Sequence, residues 1–233
     1  MRLRKACEQA EEDLALNVSA FLGVDVQCAR GCPYVVLDTD LKPFVSGWLE
    51  APEEISGIVD EARRCLGSVA VGIDAPRCAL RAPRNHYWDG KKWRGRRPSD
   101  IGYGRHCEVV IAALRIANPQ WTPLENACPE WMQHGFRLFA ALSGYDEVYE
   151  VFPTASYRLC AEDPGPMFLI SLRGFARGVK DMLDAYVAAF TVREYLAGHG
   201  VAVGGGDGMG EIILPRKLPT HPSILLEWPA DGP

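Results

Sequence analysis

The sequence contains no apolar run of membrane-spanning length, which takes about twenty residues, and it opens on MRLRKACEQAEEDLALN, a stretch charged throughout. That opening lacks the apolar core and small-residue cleavage site of a secretory signal, so neither a membrane span nor export is expected, and the cytoplasm is the expected location. Paired Cys-x2-Cys spacing is missing as well, so no zinc ribbon is written into the chain. Eight cysteines are present, most of them inside apolar runs where a free thiol packs as a small hydrophobe. Cys28, Cys32, Cys78, His86, His106 and Cys107 would assemble a zinc site only if the middle of the chain folded back over the first hairpin. The glycine-rich stretch 204–210 has no strand-turn-helix setting and reads as an approach to a strand, not a phosphate cradle.

A general excess of positive charge is also absent. The 233 residues are 48% hydrophobic and 24% charged, with a net charge of −5, the composition of an ordinary globular domain and not of a protein that coats nucleic acid. The charge is uneven, however. Between Arg77 and Arg105 nine Arg and Lys residues face two Asp, a local +7 that leaves −12 for the remainder. Arg84, Lys91, Lys92, Arg94, Arg96, Arg97 and Arg105, interleaved with Tyr87, Trp88 and Trp93, are the types that hold phosphates and stack on bases. A solvated loop is the competing reading of the same run.

What is present reads as alternating elements. Residues 1–18 have helix-forming composition. Three strand-like runs follow at 19–27, 33–38 and 43–50, separated by gaps short enough for an antiparallel meander. Pro52 opens a helix with an apolar stripe from Ile55 to Leu66. A fourth strand, VAVGIDAP, ends at Pro76, and an aperiodic basic insertion spans about 77–106. Helices are expected over 108–117 and through Phe136 to Leu142, a strand over 147–152, a long amphipathic helix over 177–199 and a last strand at 212–214. A proline-rich tail, 216–233, reads as surface coil.

Two of these strands end on an acid that apolar neighbours would otherwise exclude: Asp25 in FLGVDV and Asp74 in VAVGIDAP. Burying an ionised carboxylate costs several kcal/mol unless something compensates it. If the two strands are parallel neighbours, both carboxylates leave the sheet at one edge, where open α/β sheets place ligands. Asp181 and Asp184, three apart, share a face of the long helix. Glu150 lies near the end of the strand over 147–152, which Pro153 closes. Each also has a structural role on offer: backbone hydrogen bonds for Asp25, a turn for Asp74, capping for Asp181 and a solvent-facing strand position for Glu150.

Taken in order, GVD (23–25), GIDAP (72–76), RHCE (105–108), YEVFPTAS (149–156), KDMLDAYVAAFTVREYL (180–196) and GEIILP (210–215) resemble the predicted ribonuclease H-like nucleases of domain-of-unknown-function family 429. The likeness spans about 19–215. It implies an α/β fold with a mixed sheet, three antiparallel strands followed by alternating helices and parallel strands. It also implies Asp25, Asp74, Asp184 and Asp181 as ligands of two Mg²⁺ or Mn²⁺ ions, Glu150 as a further catalytic or orienting acid, and phosphodiester hydrolysis of DNA or RNA. A non-catalytic scaffold or nucleic-acid-binding module of the same fold is the alternative. A phosphotransferase of the actin and sugar-kinase type fits less well, because Val-Gln-Cys follows Asp25 where such proteins need a glycine-rich turn.

Overall fold

A computed structural model describes residues 17–100, 104–162 and 178–229. The helix expected over residues 1–18 lies almost wholly outside them. The first three strands form where the apolar runs predict, as β1 (Ala20–Asp25), β2 (Cys32–Asp38) and β3 (Pro43–Leu49). Their short gaps make each neighbouring pair antiparallel. Helix α1 (Ile55–Leu66) carries the chain back across the sheet, so β4 (Val69–Asp74) lies beside β1 and runs parallel to it.

The aperiodic insertion contains a small hairpin of its own, β5 (His86–Trp88) paired with β6 (Trp93–Gly95). Helix α2 (His106–Ala113) follows it, then α3 (Glu130–Ala141) and β7 (Val148–Val151). Pro153, expected only to close the strand, also opens α4 (Pro153–Glu162); proline suits a first helical turn, whose amide needs no intrahelical partner. The long helix is α5 (Val179–Leu196), and the last strand, β9 (Glu211–Leu214), has an antiparallel partner in β8 (Val201–Gly204).

The resulting seven-stranded mixed sheet has the order β3-β2-β1-β4-β7-β9-β8, with β1, β4, β7 and β9 mutually parallel. Alternation sorts the strands' side chains into two layers. Leu22, Val24, Val71 and Ile73 pack toward α1 and α3, whereas Phe21, Ala70, Val151 and Ile213 pack toward α5. A third apolar cluster joins α2, β8, β9 and the tail. The described part of the tail runs mostly over the surface, as expected, but is pinned to this cluster at one point: Leu225 is buried, and its carbonyl accepts a hydrogen bond from His106 Nε2 at 2.9 Å, in the tautomer that protonates that nitrogen. Among the described residues no helix is long and apolar enough to cross a membrane.

Candidate active site

Gly23 and Gly72 explain why acids gather at this edge. They are register partners on β1 and β4, and both face α5. A Cβ on Gly23 would lie 1.9 Å from the Ala185 carbonyl oxygen, and one on Gly72 2.8 Å from that of Ala188. The missing side chains, with Ala185, Ala188 and Ala189 opposite, let the helix backbone settle on the sheet. Two residues further on, each strand presents its next side chain to the same face, and these are Asp25 and Asp74, again in register. Asp184, immediately before Ala185, is carried in on the helix and is only 7% exposed. Three carboxylates thus share one face of the sheet at the carboxyl ends of β1 and β4.

Their electrostatics are unfavourable for three full charges. Burial, then the Asp184 carboxylate, push Asp25 from its ordinary value of 3.8 up to about 7, against the pull of a 3.0 Å hydrogen bond from Gln27 Nε2. Asp74 stands well above its ordinary value, chiefly through burial and then through Asp25 and Asp184. It accepts no side-chain hydrogen bond among the described residues. Asp184 is the best compensated: Tyr157 Oη donates to it at 2.8 Å, and the Lys180 ammonium, one helical turn away, pairs with its other oxygen. Burial and that bond to Asp184 keep the Tyr157 phenol protonated.

Asp181 sits one turn earlier, with Arg30 3.1 Å from its Oδ2. It adds to the charge felt by Asp25 from the β1 side, as a peripheral member of the group.

Glu150 approaches from the other layer of the sheet, and its charge still reaches Asp74. It is in register with Ile73, not Asp74, so alternation turns it toward the opposite layer. There it accepts bonds from both terminal nitrogens of Arg105, one at 2.7 Å, and from the Arg77 backbone amide at 3.0 Å. Burial pushes its carboxyl up, opposed by that guanidinium. One carboxylate therefore clasps both ends of the insertion, its first residue and the residue that leads into α2. Glu108 completes the group, taking Arg105 Nε and the Arg105 and Thr122 amides at 3.0 Å each. Arg105, Glu108, Glu150 and Asp74 line one cleft of about 370 Å³.

The basic insertion is more self-contained than its composition suggests. Arg84 pairs with Asp207, Arg94 grips Asp100 through two 2.7 Å bonds, and Arg96 donates to the Asp100 carbonyl at 2.8 Å. Arg105 is 1% exposed, too deep to meet a phosphate. Trp93 donates to the Ile224 carbonyl at 3.0 Å and packs against Trp88, His106 and Trp228. Lys91, Lys92 and Arg97 remain exposed, at and just after the hairpin. The six Cys and His residues considered for zinc do not come together as one group among the described residues: Cys32 Sγ donates to the Gln27 carbonyl, His106 Nε2 is bonded to the Leu225 carbonyl, and Cys107 is buried in the third cluster.

Gln27, Tyr157 and Lys180 were not anticipated as partners of the acids. Lys180 was legible as the i−4 neighbour of Asp184; Tyr157 was not, because α4 was not. No family model, curated protein or solved structure matches the chain.

Proposed function

We propose that this protein is a metal-dependent nuclease with a ribonuclease H-like fold, similar to domain-of-unknown-function family 429, acting in the cytoplasm on DNA or RNA. The observation that carries the reading is the in-register pair Asp25 and Asp74 facing Asp184, three carboxylates whose charges are mutually unfavourable until a cation joins them. An oxygen-only donor set on one face suits hard cations such as Mg²⁺ or Mn²⁺. Asp25, Asp74 and Asp184 would hold such ions, with Asp181 adding charge. Two ions bound there would supply an activated water and stabilisation of the leaving oxygen.

The chain's own groups have definable tasks. Gln27 orients the Asp25 carboxylate and Tyr157 that of Asp184, so two of the three acids are held in one rotamer. Glu150 acts as a positioning residue, fixing through the Arg77 amide the turn that leaves Asp74. Lys180, largely exposed, stands beside the acids where a substrate phosphate would arrive, and Lys91, Lys92 and Arg97 offer further phosphate contacts.

One observation favours the scaffold alternative: Lys180 already pairs with Asp184, in the manner of a residue that replaces a cation. Cleavage assays separate the readings. Labelled single- and double-stranded DNA and RNA incubated with Mn²⁺ are expected to be cut by the parent, with a loss of at least about 10²-fold in Asp74→Asn, the scale of losing one transition-state-stabilising group. Equal cleavage by both proteins, or by neither on every substrate, would count against the nuclease.

A further inference from the structure

A group of metal-type side chains distinct from Asp25, Asp74 and Asp184 lies at the same sheet edge, and among the described residues it is the one whose donor atoms all come within 4.8 Å of one another. The chain leaving β1 runs through Val26 and Gln27 to Cys28, while α3 begins at Glu130 and presents His134 one turn later on the same helical face. Cys28 Sγ, a carboxylate oxygen of Glu130 and a ring nitrogen of His134 all lie within 4.8 Å of one another. None of these side chains makes a hydrogen bond or ion pair with another described residue.

The backbone around them is held from both sides. Cys32 Sγ donates to the Gln27 carbonyl at 3.3 Å, anchoring the loop, and Gln133 Nε2 donates to the Cys128 carbonyl at 3.0 Å, anchoring the first turn of α3. Gly135 lets that helix close on β4, since a Cβ there would stand 2.4 Å from the Ala75 Cβ. The juxtaposition of Cys28 with α3 is therefore built into the packing of β1, β4 and α3.

The donor chemistry differs from that of the three acids. Thiolate, imidazole and carboxylate together suit a borderline-soft ion, and Mg²⁺ has little use for sulfur or nitrogen. With Zn–S near 2.3 Å and Zn–N or Zn–O near 2.0–2.2 Å, tetrahedral donors lie about 3.4–3.7 Å apart. The three atoms need to approach by at most about 1 Å, within the rotamer freedom of the exposed Glu130 side chain and the half-buried Cys28 and His134.

We propose that Cys28, Glu130 and His134 form a zinc site with three protein ligands and a fourth position open to solvent, tying the loop after Asp25 to the start of α3. The site is independent of the nuclease reading, which rests on different residues.

Co²⁺ titration of the reduced, chelator-treated full chain tests it, because a cobalt–thiolate bond gives a near-ultraviolet charge-transfer band and tetrahedral Co²⁺ gives strong visible bands. One equivalent of Co²⁺ is expected to develop both, and Zn²⁺ to abolish them. Cys28→Ser should lose the thiolate band, and His134→Ala and Glu130→Gln should need at least about tenfold more Co²⁺ to develop it. A thiolate band that survives Cys28→Ser, or no band in the parent, overturns the proposal. Alkylation of the parent, read peptide by peptide, gives a check that needs no variant: Zn²⁺ but not Mg²⁺ should protect Cys28, and equal labelling with and without Zn²⁺ also overturns it.

Discussion

At the scale of single residues, the informative fact is that Asp25 and Asp74 are costly as carboxylates and remain at the edge of a core. For Asp25 the sign of the pH dependence follows from its shift. Its folded value, about 7, lies above the ordinary 3.8. Between those values the folded chain keeps a proton that the unfolded chain has released, so raising the pH favours unfolding, and above about pH 7 the penalty stays constant. Melting of the metal-free parent should therefore fall relative to Asp25→Asn from about pH 4 to 7, with the variant melting higher at pH 8. Parallel curves for the two proteins would mean that Asp25 carries no such strain. Adding Mn²⁺ at pH 8 should raise the parent more than the variant, because the ion binds only the folded site.

At the scale of elements, the site depends on how closely α5 approaches β1 and β4. Gly23→Ala forces a Cβ against the Ala185 carbonyl and the Ala189 amide, 1.9 and 2.4 Å away, and neither backbone atom can move aside cheaply. A loss of about 3 kcal/mol or more is expected by chemical denaturation, at the upper end for overpacking. Gly57→Ala in α1 is the contrasting case: nothing lies within 4 Å, and alanine should stabilise that helix by about 0.5–1 kcal/mol. Similar losses from both variants would contradict the close approach.

Here the sequence was legible in part. The acids that end two apolar strands were readable as neighbours at one edge, whereas the glycine two residues before each shows its purpose only once α5 lies on the sheet. The short elements were less legible. Strand β8 disappears into the glycines that follow it, and the hairpin of β5 and β6 has three-residue strands with no period to read.

At the scale of the whole molecule, the missing information was non-local. Glu150 looked like a ligand or a solvent-facing position, and only the pairing of β7 with β4 shows its parity opposite to Asp74, with Arg105 arriving from 45 residues away. The same holds for the insertion, where Arg84, Arg94 and Arg105 are each committed to an acid once the chain is folded. The phosphate-binding part of the proposal thus narrows to Lys91, Lys92 and Arg97. Replacing all three by serine should flatten the salt dependence of nucleic-acid affinity by up to roughly 0.9 in logarithmic slope per lost contact on duplex DNA. Replacing Arg84 or Arg94 should instead loosen the insertion and leave the slope nearly unchanged; a large drop in slope from either would reassign them to the interface.

The central claim is that Asp25, Asp74 and Asp184 form one cation site. The most direct measurement is anomalous diffraction from crystals soaked in Mn²⁺. The account predicts one or two strong peaks within coordination distance of Asp25 and Asp74, with Asp184 released from Lys180 to join them. Ordered density for the three acids with no peak between them, at a Mn²⁺ concentration that loads other sites, would contradict it.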